Sequence, residues 1–175
     1  MYITTIYKRL SNNQKNKILL FLNENFNTSN DTNIEQNKNI TDNFDLEHNT
    51  IVILDIIDNE IVGCLCILPN KFLLKKIKYY NIPLNYYVLN NNGIGCFLYN
   101  LCVHINKRNN HIGYNLIQYT IQKMTEININ YLHTHAENEI SKYLFLKNNF
   151  NISNNFINLH NQHIYIMEKQ IYNNL

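Results

Sequence analysis

The stretch richest in chemistry is Asn100-Leu101-Cys102-Val103-His104-Ile105-Asn106-Lys107-Arg108-Asn109-Asn110-His111-Ile112-Gly113. An apolar run, Cys96 to Ile105, crosses the polar turn Asn106 to His111 and enters a segment in which Ile112, Leu116, Ile117, Ile121 and Met124 recur at helical spacing. A strand that passes through a tight turn straight into a helix leaves the first backbone N–H groups of that helix pointing outward, which makes an anion site. Lys107 and Arg108 add positive charge there, and Gly113, one of only four glycines, lets a ligand approach backbone that a Cβ would shield. The plainer alternative is that Arg108 and Gly113 only shape a strand-to-helix turn.

The elements that must hold this turn can be read from periodicity. Tyr2 to Tyr7 alternates as a strand, and Ser11 N-caps a helix carrying Ile18, Leu19, Phe21 and Leu22. Thr28 to Asn49 is a polar, aperiodic loop. Thr50 to Ile57 and Ile61 to Leu68 are strands joined by the turn Asp58-Asn59-Glu60, and Pro69 stops the second. Asn70 to Gly95, rich in Lys, Tyr and Asn, has no assigned structure. Cys96 to Ile105 is apolar at nearly every position, as a central strand should be. After the amphipathic helix come a strand, Tyr131 to His135, a short helix, Asn138 to Asn148, and a closing hairpin, Asn151 to Leu159 with His163 to Ile171.

Size and composition narrow the choice of function. A chain of 175 residues, 45% hydrophobic, can bury one core and is read as a single domain, residues 1–175. A net charge of +2 without a basic stripe argues against nucleic acid as a partner. No apolar run approaches the ~20 residues of a membrane span, and the Met1-Tyr2-Ile3 start has neither a signal peptide nor a myristoylation glycine, which points to a soluble, cytoplasmic protein. Cys64, Cys66, Cys96 and Cys102 all lie in apolar strands and are read as reduced core thiols; zinc-knuckle spacing is absent and no metal is assigned. The abundant asparagine is taken as a compositional bias without functional meaning.

Arg108-x-x-His111-x-Gly113 resembles the Arg/Gln-x-x-Gly-x-Gly/Ala pyrophosphate loop of GNAT acyltransferases, and it is preceded by their Leu-x-Val at Leu101 and Val103. Asn138-x-x-Ser141 followed by Phe150 resembles their second motif. Asn109 and His111 stand where the family has loop glycines, and Phe145 stands where a Tyr often protonates the leaving thiolate. A narrower resemblance is to the N-terminal half of N-myristoyltransferases. It rests on Leu22-Asn23-Glu24-Asn25-Phe26, on Ile61-Val62-Gly63 with Ile67-Leu68-Pro69-Asn70, and on Leu101-Cys102-Val103-His104, which matches their Leu-Cys-Val-His signature.

These resemblances imply an α+β GNAT fold, a central mixed and mostly antiparallel sheet with helices on both faces. They imply transfer of an acyl group from a coenzyme A thioester to an amine of a peptide N-terminus or small molecule, with acetyl- or myristoyl-CoA as co-substrate. The implied coenzyme A contacts are Leu101, Cys102, Val103, Lys107, Arg108, Asn109, Asn110, His111, Ile112, Gly113 and Asn138. Pantetheine would lie where the central strand and Tyr131 to His135 splay apart, and the backbone N–H groups of Asn100 and Leu101 would form the oxyanion hole. The general base falls to His133 or His135, which share one strand face and are of a residue type whose unperturbed pKa of ~6.5 suits the role. The C-terminal carboxylate of Leu175 would serve only if a symmetric homodimer carried it to the partner's site. His104 shares a face with Cys102, but no third group orients a Cys–His nucleophile pair. The alternatives are an ordinary N-acetyltransferase using acetyl-CoA, and a degenerate module that binds acyl-CoA without turnover.

Overall fold

The computed structural model describes residues 1–26, 46, 49–73, 95–157, 161 and 163–171. The strands are β1 (Tyr2–Ile6), β2 (Ile51–Ile57), β3 (Glu60–Pro69), β4 (Gly95–Val103), β5 (Tyr131–Ala136), β6 (Asn151–Ile157) and β7 (His163–Gln170). The α-helices are α1 (Asn12–Phe26), α2 (Ile112–Glu126) and α3 (Glu139–Lys147), and short 3-10 turns occupy Tyr7–Arg9 and Ile105–Lys107. The seven strands hydrogen-bond in the order β1-β2-β3-β4-β5-β7-β6, so the strand read as central is the fourth. β4 and β5 run parallel, whereas β1 with β2, β5 with β7 and β6 with β7 are antiparallel. This is the mixed α+β sheet expected. The chain groups into two compact units, Met1–Cys66 with Asn100–Leu116, and Ile67–Tyr99 with Ile117–Leu175.

In the first unit, α1 starts where Ser11 predicts. Ser11 Oγ accepts the Gln14 N–H at 3.3 Å while Gln14 Oε1 accepts the Ser11 N–H at 2.9 Å, a reciprocal capping box. The helix buries Ile18, Phe21 and Leu22 and leaves Leu20 exposed, the pattern of an amphipathic face. The β2–β3 turn is tighter than the sequence suggests. Asp58 and Asn59 have φ of 51° and 65°, the left-handed pair of a type I′ hairpin, and Glu60 already belongs to β3. On β3, a Cβ at Gly63 would come within 2.6 Å of Leu116 Cδ1 and 2.9 Å of Ile112 Cγ2. Glycine there lets the first turn of α2 settle directly onto the strand, which sets the height of the turn that precedes it.

In the second unit, α3 has a capping box of its own. Asn138 Oδ1 accepts the Ser141 N–H at 2.8 Å, and Ser141 Oγ lies 3.4 Å from the Asn138 N–H. The far end closes with Asn149 at φ 60° and the Phe150 N–H on the Phe145 carbonyl at 3.1 Å, a Schellman cap with asparagine in the place of glycine. The hairpin β6–β7 forms as expected, with a register shift between Ile152 and Asn154.

Asparagine is therefore more than a compositional bias. Of the eight described non-glycine residues with positive φ, six are asparagine: 59, 100, 109, 128, 149 and 161; no described glycine has positive φ. Its short polar side chain tolerates the left-handed region better than other residues with a Cβ. One boundary also differs from expectation. Ile105 lies in a 3-10 turn and not in β4, because its N–H is taken by the Asn25 side chain at 2.8 Å rather than by a neighbouring strand. Asn70 to Leu73 are helical, while the rest of Asn70 to Gly95 and nearly all of Thr28 to Asn49 lie outside the described residues.

Candidate functional site

The turn between β4 and α2 belongs to the first unit and has the form of an anion cradle. The 3-10 turn Ile105–Lys107 is capped by His104, whose Nδ1 accepts the Asn106 N–H at 3.2 Å. Asn109 and His111 follow at φ 63° and 59°. The helical ladder of α2 begins with the Asn115 N–H on the His111 carbonyl at 2.9 Å, so the N–H groups before Asn115 stand at the positive end of the helix dipole. His111 occupies the position of the family's first motif glycine, and its backbone has the left-handed shape that glycine takes without strain.

This shape has a measurable cost. A non-glycine residue in the left-handed region gives up roughly 1–2 kcal/mol, against which glycine's greater unfolded-state entropy weighs about 0.4–1 kcal/mol. The variant His111→Gly should therefore match or slightly exceed the parent in stability, while β-branched His111→Val should lose ~1–2 kcal/mol. Urea unfolding of both variants checks the order; Val equal to Gly would mean that the loop has some other conformation.

Arg108 does not extend freely into the cradle. Its Nη2 donates to the Asn25 carbonyl at 2.8 Å and its Nε to the Val103 carbonyl at 3.3 Å. The guanidinium thus fixes the turn to both neighbouring backbones while keeping its charge beside the helix start. Lys107, Asn109, Asn110 and His111 are exposed around it, and Ile112 and Gly113 are buried. Asn110 Nδ2 donates to the Lys107 and Arg108 carbonyls, each at 3.3 Å. Leu101, Cys102 and Val103 form the last residues of β4.

In the second unit the β4–β5 ladder pairs Gly95 with Tyr131 through Leu98 with Thr134 and stops there, although β5 continues to Ala136. The Thr134 hydroxyl donates to the Leu98 carbonyl at 2.9 Å where the ladder ends. Two residues on, Asn100 turns left-handed at φ 51°, a local break in β4.

The two candidate bases share a strand face, but their surroundings differ. His133 is fully buried, its Nε2 lies 2.8 Å from Asn70 Oδ1, and its Nδ1 has no hydrogen-bond partner among the described residues. Burial, with His135 a smaller contributor, drives its pKa down to about 3, so it is neutral and a poor proton acceptor. His135 is partly exposed and packs edge-on against Phe97 and Phe156, with centroids at 5.2 and 6.1 Å. Phe97 also stacks on Tyr99 at 5.9 Å, giving this face an aromatic lining that single-residue reading of the histidines missed.

The remaining candidates can be placed as follows. The Asn138 side chain is engaged in its helix cap, and Leu175 lies outside the described residues. Phe145 is buried against Phe150, ring centroids 5.1 Å apart, whereas Tyr143 is 66% exposed, so a tyrosine two positions away does not take its place. All four cysteines are free and buried; burial raises the Cys102 thiol to about 12, and the His104 ring is committed to its own turn. A Cys102–His104 nucleophile is not assembled. Among the described residues no group of three or more His, Cys, Asp or Glu could hold a metal ion, and no helix is long and apolar enough to cross a membrane.

Comparison with known proteins bears on the fold and the family. No curated protein sequence matches the chain significantly. Among solved structures, a GNAT-family acetyltransferase from Streptococcus pneumoniae superposes with a TM-score of 0.64 at 14% identity, over 98% of this chain and 100% of that one. An acyl-CoA N-acyltransferase from Pseudomonas aeruginosa gives 0.66 at 12% identity, over 97% and 98%. The NatC complex bound to Gag peptide and CoA gives 0.60 at 14% identity, over 98% and 99%. At such identities the likeness is one of fold. The acetyltransferase (GNAT) family model matches residues 18–150, from within α1 to the end of α3 and across the cradle turn. The chain belongs to the GNAT acetyltransferase family.

Proposed function

We propose that the chain is a single acyltransferase domain that moves an acyl group from a coenzyme A thioester to an amine, with the cradle from Arg108 to Gly113 holding the pyrophosphate. The observation that carries this reading is the left-handed backbone at Asn109 and His111 leading into the start of α2, a shape that glycine adopts readily. Backbone N–H groups there would meet the phosphates, with Lys107 and Arg108 supplying charge. Leu101, Cys102 and Val103 would run beside the pantetheine. The Asn100 and Leu101 N–H groups, at the break in β4, would polarise the thioester carbonyl.

His135 is the better general base of the pair. It is partly exposed, whereas His133 is sealed in and held neutral. It would take the proton of the incoming ammonium so that the neutral amine attacks, and coenzyme A would depart as the thiolate. A second reading, binding without turnover, is favoured by Phe145: no hydroxyl is present there to protonate that thiolate.

The N-myristoyltransferase-like reading adds a long acyl chain. Each buried CH₂ contributes up to ~0.8 kcal/mol, so even a half-buried tetradecanoyl tail should outbind acetyl by several kcal/mol. A ligand at a hundred times its dissociation constant stabilises by ~2.7 kcal/mol, a melting shift of roughly 5–10 °C for a domain of this size. Acetyl-, octanoyl- and myristoyl-CoA are to be compared with free coenzyme A at one submicellar concentration. Shifts that rise with chain length support the lipid-handling reading. Equal shifts across the series leave an acetyltransferase, and no shift with any of them defeats the coenzyme A site itself.

A further inference from the structure

Asn25 sits in the last turn of α1, is only 3% exposed, and reaches a part of the chain 80 residues away. Its Nδ2 donates to the Phe21 carbonyl at 2.8 Å, and its Oδ1 accepts the Ile105 N–H at 2.8 Å. Its own carbonyl accepts Arg108 Nη2 at 2.8 Å. Ile105 opens the 3-10 turn before the cradle, and the Arg108 N–H closes it on the Ile105 carbonyl at 3.4 Å. One residue of α1 thus grips both ends of that turn, the first end by its side chain and the second by its backbone.

The turn needs an outside hold. It leads into two left-handed residues, Asn109 and His111, neither a glycine, and no strand pairing takes the Ile105 N–H. Resting on the reading of the cradle as the coenzyme A site, we infer that Asn25 is a positioning residue: by fixing Ile105 and Arg108 it aims the N–H groups at the start of α2. It touches no reacting atom. The amide's donor is used inside α1, on the Phe21 carbonyl, and its acceptor reaches out of the helix to the loop.

The test uses the full chain and coenzyme A itself, titrated calorimetrically against four proteins: the parent, Asn25→Ala, Arg108→Ala, and Ile53→Val as a buried core change in β2 that makes none of the Asn25 or Arg108 bonds. Asn25→Ala should weaken binding about tenfold and speed amide exchange across 104–111 ahead of β2. Ile53→Val should lower the melting temperature and leave affinity within about twofold, since a buried methyl deletion costs only stability. If Asn25→Ala binds like the parent while Arg108→Ala has lost affinity, the positioning role is wrong and the site stands. If neither variant alters binding, the cradle is not the site and the positioning role falls with it. An Asn25→Ala loss no larger than that of Ile53→Val reduces Asn25 to a fold residue and overturns the inference. Should Asn25→Ala fail to fold, Asn25→Gln, which shifts the amide by one methylene, is judged by the same outcomes.

Discussion

Replacing Arg108 by alanine should weaken coenzyme A binding by ten- to a hundredfold, or about 1.4–2.8 kcal/mol. Two effects combine. The guanidinium leaves the Asn25 and Val103 carbonyls, charge-assisted bonds worth about 1.5–3 kcal/mol each at most, and the turn loosens. A positive charge also disappears from the mouth of the helix start. Gly113→Asp should match or exceed this loss by placing a carboxylate among the N–H groups proposed to meet the phosphates. Lys107→Ala, on an exposed chain at the rim, should cost only ~0.3–1 kcal/mol and less still at high salt. Isothermal titration of the three variants at two ionic strengths gives the ranking. Unchanged affinity in Arg108→Ala and Gly113→Asp together would remove this loop from the site, and Lys107 as the dominant residue would mean a loose surface attraction in place of a built cradle.

The parts of the fold that repeat were legible in the sequence. Apolar spacing placed α1, β4, α2, β5 and α3 to within a few residues, and Ser11 marked a helix start that the structure caps as expected, whereas Asn138, read as the first helical residue, is the cap of α3. What was not legible depended on conformation or on distant contacts. His111 and Asn109 look like motif losses when only side chains are compared, because a sequence does not display φ; both prove to be left-handed, a conformation glycine would take readily. The end of β4 was misplaced by two residues because its terminator, Asn25, lies in another element. His133 and His135 were indistinguishable as strand neighbours. Their ranking came from what covers them, with Asn70 bonded to one and aromatic edges flanking the other.

That difference gives a stability effect large enough to measure. His133 has a folded-state pKa of about 3, against ~6.5 for an unfolded chain. Between those values the unfolded state holds a proton that the folded state refuses, so stability rises with pH in this window. The contribution is complete above ~6.5 and is lost as the pH falls toward the folded value. At pH 5 the loss should be about 2 kcal/mol, from ~1.5 pH units at 1.36 kcal/mol each. The charged groups facing it do not reverse the sign. His135 lowers the His133 pKa further, and Glu168, opposite His133 in the β5–β7 register, is engaged by the Tyr131 hydroxyl at 2.6 Å. His133→Phe removes the titrating ring and keeps the aromatic volume between Phe97 and Tyr131, whose centroids lie 5.2 and 5.7 Å from the imidazole. It leaves the Asn70 side chain short of a partner, so it should be less stable than the parent at pH 7 by ~1–3 kcal/mol. Its stability should then change far less than the parent's between pH 7 and 5. Urea midpoints for both proteins across that range measure the difference, and parallel pH curves would show that His133 is hydrated and charges freely, which would return it to contention as the base.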